Sequence, residues 1–482
     1  MASLPRTENP FAPASSAPGA AHLVRGLGPF AATMLIVGSV IGSGIFVAPS
    51  LMATYLASPG LLMGLWILGG LLTLSGALAC AELAAAFPRA GGQYVFLSEA
   101  FGPLWGFLYG WTFLLAINTG FIAAVGVAFA IYLGVFIPSI SETRVLFSLA
   151  GKSFSTAQAV GLVVIAALTW LNVRGLREGA IVQNLFTIAK ISAVAVLVVM
   201  ALALAGGSLS HFSPIASTQL GPEGLKLGLF AAIAVAMSKA LFAYDAWNSV
   251  TFAAEEIKDP QKNMPRALIL GTLLITAVYC SAVAVYLYMV PIGEMGSVTG
   301  NRIAAETSRR LMGPAGETFI AIAIMVSTFG CVNGLILSGA RVVYAMARDR
   351  LFFPSAAAVH PTHRTPANAL MLQGAIAAVL TLTGSYSDLL TLTAFSSLMF
   401  NVLCVVGLFV LRARRPELPR PFRAWGYPLL PALYVAVALF FLCYILIGDP
   451  RNSGLGLVLT AVGLPAYVYW NAGRPAAQRL EA

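Results

Sequence analysis

Apolar residues run along most of this 482-residue chain in long blocks, and short polar segments separate the blocks. A block of about 20 apolar residues is the length that an α-helix needs to cross the hydrocarbon core of a bilayer. The blocks lack the alternation of apolar and polar faces that an amphipathic surface helix shows. The pattern predicts an all-α integral membrane protein with twelve transmembrane helices, at residues 27–56, 60–86, 101–136, 157–173, 180–205, 227–254, 265–291, 317–347, 367–384, 386–412, 428–447 and 453–472.

Two of these predicted spans are interrupted at corresponding places. Span 1 carries glycines and serines from Gly38 to Gly44, and both residue types weaken a helix interior. Span 6 carries the polar residues Asp245 and Asn248 near its middle. Because spans 1 and 6 are five apart, we expect two five-helix halves of inverted topology, each with a broken first helix. The predicted organisation is a disordered cytoplasmic tail (1–24), the first repeat (25–205), the second repeat (206–412), a loop with helices 11 and 12 (413–473) and a cytoplasmic C-terminal tail (474–482).

The composition fits this assignment and narrows the class of protein. Hydrophobic residues make up 59% of the chain and charged residues 10%, whereas a soluble domain has about 25% charged residues. The net charge of +10 reflects 28 Lys and Arg, most of which fall on one side of the predicted spans. This is the positive-inside pattern, so we expect both termini in the cytoplasm and no nucleic-acid partner.

Candidate chemistry for an enzyme is sparse. All four histidines fall in predicted loops, and His360 and His363 have a metal-like spacing without a nearby Cys or carboxylate. We therefore predict no enzyme activity, no metal and no cofactor. The five cysteines all lie inside apolar blocks, which argues against a disulfide framework.

The interruption at Gly42, Ser43 and Gly44 could bind a zwitterion. A helix break inside a membrane frees backbone groups, so it must face a cavity or protein. The freed amides begin a new half-helix whose dipole favours an anion, and the freed carbonyls can accept from a cation. The alternative is close helix packing through small residues.

Asp245 and the aromatic residues beside it are the candidate selectivity elements. A carboxylate at mid-bilayer is a functional hypothesis by default, and it could receive a polar or cationic substrate side chain. It could instead cap the second half of span 6. Phe242 is the candidate gate, whereas packing is the simpler interpretation of Tyr244 and Trp247.

Two lysines fall within the spans. Lys190 should face the bundle interior, where its ammonium group could stand in for a sodium ion or titrate, and snorkelling toward the cytoplasm is the alternative. For Lys239 we expect snorkelling to the outer interface. Asn118 and Asn333 could line a cavity or bond helix to helix.

Several motifs resemble the amino acid–polyamine–organocation superfamily. They are Gly42-Ser-Gly-Ile-Phe46, Phe242-Ala-Tyr-Asp-Ala-Trp-Asn248, Glu255-Glu-Ile-Lys-Asp-Pro-Gln-Lys-Asn-Met-Pro265, Ala90-Gly-Gly-Gln-Tyr94, Gly330-Cys-Val-Asn-Gly334 and Arg420-Pro-Phe-Arg-Ala-Trp-Gly-Tyr-Pro428. Within the superfamily the chain looks most like the L-type amino acid transporters and their bacterial relatives.

The resemblance implies the five-plus-five inverted-repeat fold of the leucine-transporter type, with helices 1 and 6 unwound at mid-membrane. It implies alternating access around a site between helices 1, 3, 6 and 8. Phe242 matches the gating aromatic, and Lys190 matches the lysine that replaces sodium in sodium-independent members. By position, the substrate carboxylate maps to Ser43, Gly44 and Ile45, and the substrate ammonium maps to the carbonyls of Ile41, Phe242, Ala243 and Asp245.

Two departures from the family pattern matter. Many L-type transporters have Gly where Asp245 stands, which leaves neutral, cationic and mixed selectivity open. Residues 138–156 contain no Cys for a disulfide to a heavy subunit, so we expect a self-sufficient prokaryotic protein in a cell membrane. The expected function is sodium-independent exchange of L-amino acids, with proton-coupled symport and a sensor without flux as alternatives.

Overall fold

The computed structural model describes residue 23 and residues 25–149, 152–204, 206–215, 217–383 and 386–473, and these are mostly helical. Nearly all of the two predicted tails, 1–24 and 474–482, lies outside the described residues. The helices are α1 (Pro29–Val40), α2 (Gly44–Tyr55), α3 (Pro59–Ala86), α4 (Gln93–Phe101), α5 (Pro103–Thr112), α6 (Asn118–Leu133), α7 (Thr156–Arg174), α8 (Leu176–Leu204), α9 (Pro222–Leu227), α10 (Leu229–Tyr244), α11 (Ser249–Phe252), α12 (Pro260–Met289), α13 (Ile292–Met295), α14 (Ile303–Arg348), α15 (Ala367–Thr383), α16 (Tyr386–Arg414), α17 (Leu429–Gly448) and α18 (Pro450–Ala472).

Most of these helices are membrane-spanning in length and composition. Among the described residues, ten helical stretches are long and apolar enough to cross a bilayer, and α1 with α2 and α5 with α6 each form one stretch. Two shorter apolar helices, α10 and α15, accompany them. The chain therefore has the architecture of a multi-pass membrane protein.

Proline and small polar residues set many of the helix starts. Pro59 occupies the first turn of α3, where the missing amide has no cost, and Ser58 caps the helix by accepting from the Leu61 amide. Ser155 and Gln158 form a reciprocal capping box at the start of α7. These local signals explain why the predicted blocks begin close to the observed helices.

Smaller elements connect the long helices. A two-stranded antiparallel hairpin, β1 (Val145–Leu149) with β2 (Lys152–Ser155), lies between α6 and α7. A π-helical turn at Phe113–Ile117 joins α5 to α6, and 3₁₀ turns lie at Leu209–Phe212, Ala254–Glu256, Thr299–Asn301 and Pro354–Ala357. The block pattern predicted none of these elements.

The helices form a buried centre and an apolar outer face. The central helix α14 lies along α6 and α8, α12 lies along α1 and α3, and α10 lies against α2. Large apolar side chains on α7 and α8, such as Val163 and Leu202, are exposed. An exposed apolar face suits contact with lipid, whereas the centre excludes it. Both interrupted stretches, α1–α2 and α10–α11, therefore contact the central helices.

Candidate functional site

The helical backbone is interrupted in two places. The first helical stretch ends at Val40 and resumes at Gly44, and the residues between are bends. The second ends at Tyr244 and resumes at Ser249. Within the second break Ala246 has a φ of 65°, a left-handed conformation that costs an L-residue energy and reverses the chain locally.

The two breaks lie directly against each other. A Cβ atom on Gly44 would be 2.6 Å from Ala243 Cβ and 2.7 Å from Ala243 Cα. A Cβ atom on Gly42 would be 2.7 Å from Cys331 Sγ on α14. These positions need glycine for close approach, so the packing interpretation of the small residues is correct for Gly42 and Gly44 whatever else the break does.

The start of α2 presents backbone donors. Among the described residues, the amides of Gly42, Gly44 and Ile45 have no backbone acceptor. Ser43 is the residue before α2 and is fully buried. Free amides at a helix N-terminus favour a negatively charged group, which fits the predicted place for a carboxylate.

The Lys190 side chain on α8 donates hydrogen bonds to the carbonyl groups at the same break. Its ammonium group donates to the carbonyls of Gly38 (2.9 Å), Ile41 (2.6 Å) and Ser327 (2.9 Å), and the side chain is buried. An ammonium group has three donors, so all three are used. Lys190 therefore does not snorkel to the interface but holds α1 against α8 and α14.

The Ile41 carbonyl, which was predicted to accept from the substrate ammonium group, accepts from two protein donors. It accepts from Lys190 and also from the Ser327 hydroxyl at 3.0 Å, which uses both of its lone pairs. A substrate ammonium group could reach it only by displacing a protein donor. In the second break, the Phe242 carbonyl accepts from the Asp245 amide at 3.3 Å, and the Ala243 carbonyl accepts from the Tyr279 hydroxyl at 2.9 Å.

A narrow cavity lies beside the second break. Residues of α5, α6, α14, α16 and the second break line this cavity. They include Asn118, Asp245, Ser338 and Ser397. Phe242 is buried, and its ring stacks on Phe121 of α6 with the ring centroids 4.6 Å apart. The predicted gate therefore packs on the helix that lines the cavity.

Asp245 lies between two cavities. It lines the one just described and a second narrow cavity bounded by α3, α10, α16 and α17. One carboxylate oxygen accepts from the Ala246 amide at 2.7 Å. The residue that precedes α11 is Asn248, so Asp245 does not cap that helix. Its carboxylate stabilises the left-handed turn and remains beside both cavities.

Other sequence predictions are placed differently. Asn118 donates to the Leu335 carbonyl and to Gln373, so it also joins helices. Asn333 faces α7 and α8, where it bonds to Asn172, Gln183 and the Gly179 carbonyl. Neither described cavity includes Asn333, so the structure does not bring it to the others. The snorkelling expected of Lys239 is wrong, because Lys239 is buried and donates to Thr391 at 2.8 Å.

Tyr279 is the residue that sequence reasoning missed. It lies on α12 and its hydroxyl contacts both breaks. Within an apolar block a single tyrosine resembles ordinary packing, so no local pattern distinguished it from Tyr286 seven residues later. Only the contacts of Tyr279 with Val40 of α1 and Ala243 of α10 reveal its position.

Comparisons with known proteins extend over nearly the whole chain. A family model described as amino acid permease matches residues 27–466. The chain is 32% identical over 447 residues to the serine/threonine exchanger SteT of Bacillus subtilis, covering 92% of this chain and 96% of the relative. It is 31% identical over 466 residues to the large neutral amino acids transporter small subunit 2 of mouse, covering 96% and 84%. It is 29% identical over 458 residues to the Asc-type amino acid transporter 1 of mouse, covering 93% and 82%.

Proposed function

The chain belongs to the amino acid permease family, and from that premise we propose that it is a sodium-independent exchanger of L-amino acids that works by alternating access. The observation that carries the proposal is the Lys190 ammonium group, which donates to the Gly38 and Ile41 carbonyls at the first break and to the Ser327 carbonyl of α14. A fixed cation there removes the need for a bound metal ion to satisfy those carbonyls.

The proposed architecture has twelve spans in a five-plus-five inverted repeat, with helices 1 and 6 unwound at mid-membrane. The ten long apolar stretches together with α10 and α15 support this count. The proposed repeats are residues 25–205 and 206–412, followed by helices 11 and 12. Both termini are cytoplasmic in this proposal, and the membrane is a prokaryotic cell membrane.

The proposed substrate site uses backbone groups for the parts that all amino acids share. The carboxylate lies at the amides of Ser43, Gly44 and Ile45, where the dipole of α2 favours negative charge. The ammonium group lies at the carbonyls of Phe242, Ala243 and Asp245. Phe242 closes over the bound molecule, and Gly42 allows the break to approach α14.

The substrate side chain then extends toward the two cavities beside Asp245, one of which is lined by Asn118 and the other by Tyr244. The curated relatives are described as exchanging serine and threonine or transporting large neutral amino acids. We propose neutral amino acids, cationic ones, or both as substrates, and the Asp245 carboxylate sets the balance between them. Ile41 and Asn333 act indirectly in this scheme, because their polar groups are bound by protein donors and acceptors.

The test is uptake of labelled L-serine and L-leucine into proteoliposomes. Liposomes preloaded with unlabelled amino acid should take up label faster than empty ones, and choline in place of sodium should leave the rate unchanged. Loss of uptake in choline would contradict the role of Lys190. Uptake into empty liposomes that follows an imposed pH gradient would replace exchange with proton symport, and binding without flux would indicate a sensor.

The role of Asp245 is tested by competition. Lysine and arginine should compete with labelled substrate less well for the Asp245→Asn variant than for the wild type, because the neutral amide cannot pair with a cationic side chain. A screen of all amino acids as competitors would define the substrate class. Identical competition profiles for the two proteins would remove Asp245 from selectivity.

We propose that no disulfide-linked heavy subunit is needed. The segment between α6 and α7 that would carry the linking cysteine has none in residues 138–156. The test is reconstitution of the purified chain alone, which should exchange amino acids without any added protein.

A further inference from the structure

A strongly basic segment lies at the end of α16 and along the connection to α17. Residues 412–423 contain five arginines and a single carboxylate, Glu417. The arginines of this segment are Arg412, Arg414, Arg415, Arg420 and Arg423. Such an excess of one sign on a short stretch of surface attracts groups of the opposite charge.

Carboxylates from other helices neutralise only part of this charge. Glu82 of α3 and Glu99 of α4 form ion pairs with three of the arginines, which are Arg412, Arg415 and Arg420. The other two, Arg414 and Arg423, are exposed. Within the part of the chain that the structure describes, neither of these two side chains makes an ion pair or a hydrogen bond. Two guanidinium groups therefore remain available to a ligand.

The fold brings the stretches that carry the two available arginines to the same place. The Glu82 carboxylate accepts from Arg412 Nε at 2.9 Å and from the Ala424 amide at 2.7 Å. Arg414 follows Arg412 by two residues, and Arg423 directly precedes Ala424. One carboxylate therefore holds the end of α16 against the start of the next helical connection, with an exposed arginine on each side.

Exposed apolar side chains continue the basic surface toward the membrane. Trp425 is 61% exposed and Leu429, the first residue of the membrane-spanning helix α17, is 74% exposed. The Trp425 ring packs on Phe422 with the ring centroids 6.1 Å apart. An exposed tryptophan at the end of a membrane-spanning helix is typical of the depth at which lipid headgroups lie. The surface thus offers positive charge and apolar area side by side.

We propose that this basic and aromatic patch, formed by Arg414, Arg423, Trp425 and Leu429, binds the headgroup of an anionic phospholipid from the surrounding bilayer. The two guanidinium groups pair with the phosphate oxygens, which suit their planar donor geometry. Trp425 and Leu429 contact the glycerol and the first acyl carbons. A free phosphate ion would leave that apolar half uncovered, and phosphatidylcholine brings a cation of its own. The inference does not depend on amino acid exchange.

The test is binding of soluble lipids to the full chain in a neutral detergent. Short-chain phosphatidylglycerol should raise the Tm of the wild type in a saturable way, because a ligand of the folded state stabilises it. Short-chain phosphatidylcholine should raise the Tm much less, and inorganic phosphate at the same concentration should leave it unchanged. For Arg414→Gln/Arg423→Gln we expect the Kd of phosphatidylglycerol to rise by about tenfold or more, since each charge near the surface contributes to attraction.

Arg364→Gln is the matched control. Arg364 is also exposed and lies in the connection before α15, on the same side of the predicted spans. Its replacement removes an equal charge outside the patch, so the Kd of phosphatidylglycerol should equal that of the wild type. Trp425→Ala should weaken phosphatidylglycerol severalfold and keep the preference over phosphatidylcholine, because it removes apolar contact and no charge.

Three results would overturn the inference. They are an unchanged Kd for Arg414→Gln/Arg423→Gln, equal affinity of the wild type for the two lipids, and a Tm rise with inorganic phosphate that matches the rise with phosphatidylglycerol. The last result, or an unchanged Kd for Trp425→Ala, would indicate a site for a free anion. If the double variant does not fold, Arg414→Gln and Arg423→Gln are measured singly, and each should weaken phosphatidylglycerol severalfold. Native mass spectrometry of the same samples counts the bound lipid. A wild type that binds the lipid but exchanges no amino acid would remove the proposed function alone.

Discussion

At the scale of single residues, glycine and lysine have different roles at the first break. Gly42 and Gly44 remove side chains so that α14 and α10 can approach the backbone, whereas Lys190 inserts a long side chain that satisfies the carbonyls exposed there. The sequence left packing and substrate binding as alternatives for the glycines. The geometry makes them compatible, because the close approach at Gly44 is also what brings the two breaks together.

Gly42→Ala should lower exchange and be partly rescued by a second substitution. The new Cβ would be 2.7 Å from Cys331 Sγ, and Cys331→Ala removes that atom while leaving Cβ at 3.3 Å. We expect the single variant to lose at least tenfold in exchange rate per reconstituted protein and the double variant to recover several-fold. Gly44→Ala is the contrast: Ala243→Gly should not rescue it, because Ala243 Cα itself would be 2.7 Å away.

Lys190→Met should abolish most exchange while the protein still inserts into the membrane. Three buried carbonyls lose their shared donor, and only the Ile41 carbonyl is known to keep another, the Ser327 hydroxyl. An unsatisfied buried acceptor costs about 1–3 kcal/mol. The measurement is exchange of labelled serine at equal protein content, with Lys226→Met as control because that lysine is exposed. Exchange by Lys190→Met within twofold of the wild type would contradict the proposal.

At the scale of elements, the apolar blocks predicted the long helices. They did not predict elements that are short or polar, or side-chain positions that depend on contacts between distant helices. α14 extends back to Ile303 through a polar stretch and kinks at Gly313, whose φ is 65°, and no apolar run marks that extension. The hairpin before α7 has too few residues to show a pattern. Snorkelling of Lys239 was predicted wrongly because its partner, Thr391, comes from a distant helix.

A buried ion pair joins the 3₁₀ turn at Ala254–Glu256, which follows α11, to α14. The guanidinium of Arg341 makes two hydrogen bonds, at 3.0 and 2.9 Å, to the carboxylate of Glu256, and both side chains are almost completely buried. Arg341→Met should destabilise the protein by about 3–5 kcal/mol, because it leaves a buried carboxylate unpaired.

The measurement is thermal unfolding in detergent. We expect the Arg341→Met/Glu256→Met double variant to regain much of the lost Tm, since no buried charge is left alone. Arg309→Met, which breaks an exposed pair with Glu306, should change Tm little. Equal Tm values for the single and double variants would show that the pair acts through shape rather than charge.

At the scale of the whole molecule, ionic contacts cluster on the side that the positive-inside pattern assigns to the cytoplasm. The Glu82 carboxylate at the end of α3 accepts from Arg412 at 2.9 and 2.5 Å and from the Ala424 amide at 2.7 Å, and Arg420 lies 3.2 Å away. Glu99 of α4 pairs in the same way with Arg89 and Arg415. These contacts tie α3 and α4 to the end of α16, and we expect an inward-open state to break them.

Glu82→Gln should therefore shift the carrier toward the inward-open state. The reporter is Ser338→Cys, because Ser338 lines the cavity beside Asp245 and is buried here. In inside-out vesicles a membrane-impermeant maleimide should label this cysteine several-fold faster with Glu82→Gln than without it. The wild-type cysteines give the background rate, measured in protein that keeps Ser338.

Glu306→Gln is the matched control for charge and amide substitution. Glu306 pairs with Arg309 and Arg310 at the opposite end of α14, so its loss should leave labelling from the cytoplasmic face unchanged. Saturating substrate should change the rate of maleimide labelling in both the Glu82→Gln and the Glu306→Gln protein, because a loaded carrier samples both faces. If Glu82→Gln accelerated labelling no more than Glu306→Gln, the contacts at Glu82 would stabilise the fold without holding the cytoplasmic side closed.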